Sequence, residues 1–167
     1  MSAQPYVPVF GVPRQPGDHL RAAEPADGEQ LLRLWDLLSD GVDDAENPPW
    51  RGHARAWFEE SLDDPSTVRV PVLESGGVVV SAAVGTLELG VPNPWCPRGR
   101  TVRLANVVRL PEHRGRGHAS LLVQDVVEWA RAITADRVDL SATSQGRGVY
   151  ERAGFVLTSA PRMKLVL

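Results

Sequence analysis

The sequence predicts a mixed α/β fold, one central mixed β-sheet flanked by about four helices, and three observations carry that prediction. Thr67 to Glu74 and Val78 to Leu89 are strand-like runs joined by Ser75-Gly76-Gly77, the composition of a hairpin turn. Thr101 to Leu110 reads as the central strand, with Val102, Leu104, Val108 and Leu110 on one face by alternation. That strand leads through Arg114-Gly115-Arg116-Gly117-His118-Ala119 into a helix, His118 to Ala132, with Leu122, Val126, Trp129, Ala130 and Ile133 on one side.

The remaining elements follow in order. Residues 1–17 form a proline-rich arm, because Pro5, Pro8, Pro13 and Pro16 stop both helix and ladder. Its Tyr6, Val7, Val9 and Phe10 favour docking over a free tail. Residues 18–167 read as a single domain. His19 to Ala23 is a short strand, and Asp27 is placed to cap a helix with Gln30 closing a capping box. Leu31, Leu34, Trp35 and Leu38 then fall at helical spacing. After an acidic loop with Asp43, Asp44 and Glu46, a second helix from Trp50 to Leu62 buries Ala54, Trp57 and Phe58. Pro71 marks its strand as an edge or as bulged there. Val138 to Ala142 is a strand, Gly146 to Ala153 a short helix stopped by Gly154, and Met163 to Leu167 a final strand. Asn106 interrupts the apolar row of the central strand, which fits either a bulge or a buried Asn bonded to nearby backbone.

Composition sets limits on function. A net charge of −3 and a pI near 5.8 give no reason to expect nucleic acid as a partner. Cys96 is the only cysteine, so an internal disulfide is impossible, and the histidines show no metal-ligand spacing. No run is apolar enough for a membrane span and no signal peptide is visible, so the chain reads as cytoplasmic.

The glycine-rich turn carries the chemistry. The first N–H groups of a helix have no internal partner, and the aligned peptide dipoles make that end positive. A strand feeding such a turn presents donors to a bound anion, typically phosphate. Arg114 and Arg116 add mobile positive charge, and Gly117 leaves the backbone bare for close approach.

Val107 to Ala119 resembles the coenzyme A pyrophosphate loop of the GNAT family of N-acetyltransferases. Gly148-Val149-Tyr150-Glu151-Arg152-Ala153-Gly154-Phe155 is similar to that family's second signature, and Arg162 to Leu167 to its last strand. The resemblance is firm from Thr101 to Leu167, rests on element order alone from Asp18 to Arg100, and does not reach the arm. It implies the acetyltransferase fold and an acetyl-CoA-dependent N-acetyltransferase acting on a small amine or an exposed amino group, without a metal. It also implies that Gly115, Arg116, Gly117, His118 and Ala119, with Arg114, hold the pyrophosphate. Val107, Val108 and Arg109 would hold the pantetheine arm by main-chain bonds where the central strand splays from its neighbour. Arg109 stands where the family usually has an apolar residue.

Tyr150 matches the family tyrosine that protonates the departing thiolate; the alternative is an aromatic that packs the short helix. The family has no fixed base, so the residues alone suggest Glu88 first, then Glu46, Asp44 and His53. His113 and His118 lie in the phosphate loop and are expected to meet solvent or phosphate. Cys96 has no base beside it in sequence and is set aside as a nucleophile. Members of the family often pair, which leaves a homodimer open. Two rival readings stand beside the first: a transferase for a larger acyl group on the same fold, and a noncatalytic acyl-CoA-binding regulatory module.

Overall fold

The structure, a computed structural model, describes residues 17–38 and 48–167. The arm before Gly17 and the acidic loop with Asp43, Asp44 and Glu46 lie outside them. The expected mixed sheet is present. Its strands are β1 (Asp18–Ala22), β2 (Val68–Arg69), β3 (Pro71–Ser75), β4 (Val78–Leu89), β5 (Arg100–Arg109) and β6 (Arg137–Asp139). They lie in the order β1-β3-β4-β5-β6, with β2 pairing β4 as well. All pairings are antiparallel except β5 with β6. The helices are α1 (Gly28–Asp36), α2 (Pro49–Ser61), α3 (His118–Ala132) and α4 (Arg147–Arg152).

Two apolar cores sit on opposite faces of this sheet. On one, Leu31, Leu32 and Leu34 of α1 and Phe58 of α2 cover Val72, Ala82, Val84 and Val108. On the other, Leu122, Val123, Val126 and Trp129 of α3 cover Leu73, Val80, Ala83, Val102 and Leu104. Helix α3 lies so close to β4 that a Cβ on Gly85 would sit 2.7 Å from Val126 Cγ1 and 3.1 Å from the Trp129 ring.

The strict alternation expected for the central strand fails at Asn106. Register with β4 runs Val84 opposite Ala105 and then Ala82 opposite Val108, so β5 holds one extra residue there. Asn106 takes a left-handed φ of 52°, which Asn tolerates better than most residues. Because side chains alternate, one inserted residue moves every later one to the other face. Val102 and Leu104 therefore pack under α3, while Val108 packs under α1 and α2.

Four further expectations are corrected. Pro71 is not on an edge: β3 lies between β1 and β4, and β1 is the outer strand. The proline acts only as an interruption at Val70, whose carbonyl accepts the Ala23 amide instead. Asp27 does not cap α1; it closes a capping box on Glu24 around a 3-10 turn, Pro25–Asp27, and Gln30 accepts the Val79 amide at 2.8 Å. Leu38 is exposed rather than packed. No final strand forms, since β6 pairs over only three residues and offers a partner few bonds, and Pro161 interrupts the approach. Met163 to Leu167 are exposed.

Gly85→Ala is expected to lower stability by about 1–3 kcal/mol, the usual effect of overpacking, in a denaturant titration. Asp27, almost fully buried, receives two hydrogen bonds from Arg21 at 2.7 and 2.9 Å. Those bonds outweigh burial and, with the Glu24 amide, hold its carboxyl below the usual range. Its contribution is therefore complete above the unfolded value near 3.8 and is lost as pH falls through the lower native one. Asp27→Asn should destabilise at pH 7, by about 1–3 kcal/mol, and the gap from the parent should shrink in strongly acidic buffer.

Candidate active site

The site begins where β5 leaves β6. The parallel pairing covers only Thr101 with Arg137, Val102 with Val138 and Arg103 with Asp139. Beyond it the two chains diverge, and a groove of about 610 Å³ opens between Leu104–Arg109 on one side and Ser141–Tyr150 on the other. Leu110 N–H bonds Val80 carbonyl at 2.9 Å, so even-numbered residues after the bulge turn their main chain toward β4. Val107 and Arg109 then face their main-chain groups into the groove. Ser81, buried, donates its hydroxyl to Val108 carbonyl at 2.8 Å and holds the bulged strand in place.

At its other end the groove reaches Arg114 and Ala119. Gly117 precedes α3 with φ 78°, Gly115 has φ 76°, and no side chain caps this helix end. The first helical bond is Leu121 N–H to Gly117 carbonyl, so the N–H groups of His118, Ala119 and Ser120 point out of the helix unpaired within it. Arg114, Gly115 and Arg116 are exposed. These are a bare helix end and exposed cations beside a groove, which is what an anionic ligand with an extended tail requires.

The expectation for His118 is corrected. Its side chain is buried, and Nε2 lies 2.8 Å from Asp18 Oδ2, both side chains at most 2% exposed. His113 stacks on it at 5.8 Å. Burial pushes the Asp18 carboxyl up, but hydrogen bonds from His118 and Ser75 and the nearby charges of His118 and Arg116 bring it below the usual range. Only the His118 main chain is left for a ligand. The side chain ties the start of α3 to β1.

Tyr150 lines the groove from α4, half-buried, with its ring edge-on to Phe155 at 6.0 Å. Among the described residues nothing bonds its hydroxyl. Burial raises its phenol above the ordinary 10, and the Arg109 guanidinium pulls the other way. The odd arginine at position 109 thus lies within electrostatic reach of the tyrosine, a pairing forty-one residues apart in sequence.

Glu88 is not brought to this place. It stands opposite Thr101, five residues before Asn106, roughly 16 Å along the strand at about 3.3 Å per residue. Arg103 holds it at the surface, at 3.3 and 3.4 Å. His53 is exposed on α2, and Asp44 and Glu46 lie outside the described residues. Cys96 is buried in the loop that precedes β5, its thiol 3.3 Å from Asp136, before the end of β5 that lies away from the groove. Among the described residues no group of three or more His, Cys, Asp or Glu is placed to hold a metal ion. No helix among them is long and apolar enough to cross a membrane.

Sequence reasoning missed several contributors. Asp18 meets His118 across one hundred residues, and Ser81 meets Val108 across a strand pair, so neither leaves a local signal. The aromatic cluster of Trp35, Trp57 and Phe58 was legible only as core. In the structure Trp57 is 36% exposed, and the three rings wall a second cavity that meets the groove at Ala105 and Asn106.

Solved structures of similar shape fit this geometry. A predicted acetyltransferase from Clostridium acetobutylicum, solved with acetyl-CoA, superposes with a TM-score of 0.77 at 21% identity, covering 89% of this chain and 96% of that one. Glucosamine-6-phosphate N-acetyltransferase from Arabidopsis thaliana gives 0.73 at 17% identity, with 89% and 97% covered. An aminoglycoside N-acetyltransferase in complex with CoA gives 0.72 at 18% identity, with 89% and 94% covered. At these identities the likeness is one of fold. No curated protein matches the chain. The model of the acetyltransferase (GNAT) family matches residues 31–155, which span both the splayed strand and the tyrosine helix; the chain belongs to the GNAT family.

Proposed function

We propose that the protein is an N-acetyltransferase that moves an acetyl group from acetyl-CoA to a primary amine by direct attack. The observation that carries this reading is the continuous groove from the uncapped start of α3, past the divergence of β5 and β6, to Tyr150. Its length and its donors suit coenzyme A: an anionic pyrophosphate at one end, an amide-bearing arm in the middle and a thioester at the other.

The amides of Gly115 to Ala119 hold the pyrophosphate, with Arg114 and Arg116 adding charge. Val107 and Arg109 bond the pantetheine amides as a neighbouring strand would. When acetyl-CoA is bound it supplies the activated acyl group, and the chain's own residues do the rest. The main-chain N–H of Val107 stabilises negative charge developing on the carbonyl oxygen, without any reorganisation. Tyr150 donates its hydroxyl proton to the departing sulfur, and the proton that the nitrogen sheds as the amide forms passes through water and restores the phenol. Arg109 beside it favours the negative charge left behind on either oxygen or sulfur. No acidic side chain lines the groove among the described residues, so Glu88 is not assigned as base. The acyl preference is for acetyl, with a larger acyl group as the second reading.

Ala119→Glu tests the phosphate site with little harm to the fold, since a carboxylate is favourable in the first turn of a helix. Repulsion of the pyrophosphate should weaken CoA binding by roughly a hundredfold or more in calorimetry, equal to about 2.7 kcal/mol or more. Unchanged affinity would remove this assignment.

Tyr150→Phe should lower kcat by about 10²–10⁴-fold while changing acetyl-CoA affinity little. Because the phenol is raised above 10 and acts protonated, its limb of the pH profile falls only as pH rises through that region. From pH 7 to 9 the parent enzyme should show no loss of kcat from this group. An unaltered rate in the variant, with chemistry limiting, would leave Tyr150 as a packing residue.

A further inference from the structure

We propose that the aromatic cavity between α1, α2 and the bulge of β5 is the acceptor pocket, and that it takes a primary amine carried on an apolar, ring-sized body. This rests on the acetyl-transfer reading above and names its second substrate class.

The cavity measures about 250 Å³. An apolar cavity of roughly 150 Å³ is enough to hold benzene, so this one has room for a ring and a short aliphatic chain. Trp35 and Phe58 meet edge-to-face at 5.1 Å, and Trp57 and Phe58 at 5.4 Å, forming its aromatic walls. Ala54, Val84 and Ala105 complete the apolar lining among the described residues, and Thr86 and Asn106 are the polar side chains there. Among the described residues no charged side chain lines it. The cavity and the coenzyme groove share Ala105 and Asn106, the residues of the bulge. A molecule seated among the rings therefore reaches the groove next to Val107, where β5 turns its main chain outward.

This lining selects against sugar-like amines. Each hydroxyl buried here without a partner disfavours binding by roughly tenfold or more. The electron-rich ring faces attract an ammonium at the mouth, and the apolar interior shifts it toward the neutral amine that can attack. That shift supplies a free lone pair where the described lining offers no carboxylate.

The test uses the full chain with acetyl-CoA, followed by thiol release, comparing 2-phenylethylamine with neamine and glucosamine 6-phosphate. The expected kcat/KM for 2-phenylethylamine is higher by roughly tenfold or more. Ala54→Phe fills the cavity and should raise KM for 2-phenylethylamine by roughly tenfold, with KM for acetyl-CoA within about twofold of the parent. Trp57→Ala, at the half-exposed rim, is the second variant and should raise the same KM without lowering the melting temperature. A preference for neamine or glucosamine 6-phosphate that neither variant moves would overturn the pocket and leave acetyl transfer standing. If no amine is acetylated, 2-phenylethylamine is titrated into the CoA-saturated protein by calorimetry. Binding that Ala54→Phe abolishes supports the pocket while acetyl transfer fails; absence of binding overturns the pocket.

Discussion

The extra residue at Asn106 is the constraint on which the rest of the site depends. A strand paired on both sides has no main-chain groups to offer a ligand. Here the bulge inverts the faces of β5 just after its pairing with β6 has ended, so Val107 and Arg109 retain β4 on one side and gain an open groove on the other. Ser81 secures the arrangement by bonding Val108 carbonyl from within the core. The inversion also explains why one strand can serve two cores, Leu104 beneath α3 and Val108 beneath α1. Without the insertion the groove and the aromatic cavity would not meet at the same two residues.

Electrostatics complete what the backbone begins. The uncapped start of α3 is positive because its N–H groups and dipole are unopposed, and a helix end in that state is stabilised by an anion. Its position is set from behind by the buried contact of His118 with Asp18, which links the start of α3 to the outer strand β1. At the opposite end of the groove Tyr150 is buried enough to stay protonated and lies near a guanidinium. A positive end for phosphate and a neutral acid for the leaving group are consistent with the proposed transfer.

Much of this was legible in the sequence, and the parts that were not share a cause. The hairpin, α3 and the β5 strand showed themselves through turn composition and local periodicity, and Gly115 and Gly117 through the bare backbone they leave at a helix start; their positive φ is what the structure adds. Asn106 was visible as a break in an apolar row, but its consequence was not, because face inversion depends on pairing register with β4. His118 was read as a loop residue facing outward; only Asp18, a hundred residues away, draws it inside. Glu88 has the chemistry of a base but sits at the wrong end of its strand, a matter of register again. Met163 to Leu167 has strand composition, yet a three-residue β6 gives it too little to pair with. Composition reports what a segment can do, whereas these failures were decided by long-range partners.

Amide hydrogen exchange with and without saturating acetyl-CoA tests the central claim most directly, since it reads the main-chain groups themselves. Bound acetyl-CoA should slow exchange at Val107, Arg109 and the first amides of α3, with Thr101 to Arg103 unchanged because β6 already pairs them. Saturable acetyl-CoA binding that leaves Val107, Arg109 and the α3 amides exchanging at their free rates would contradict it.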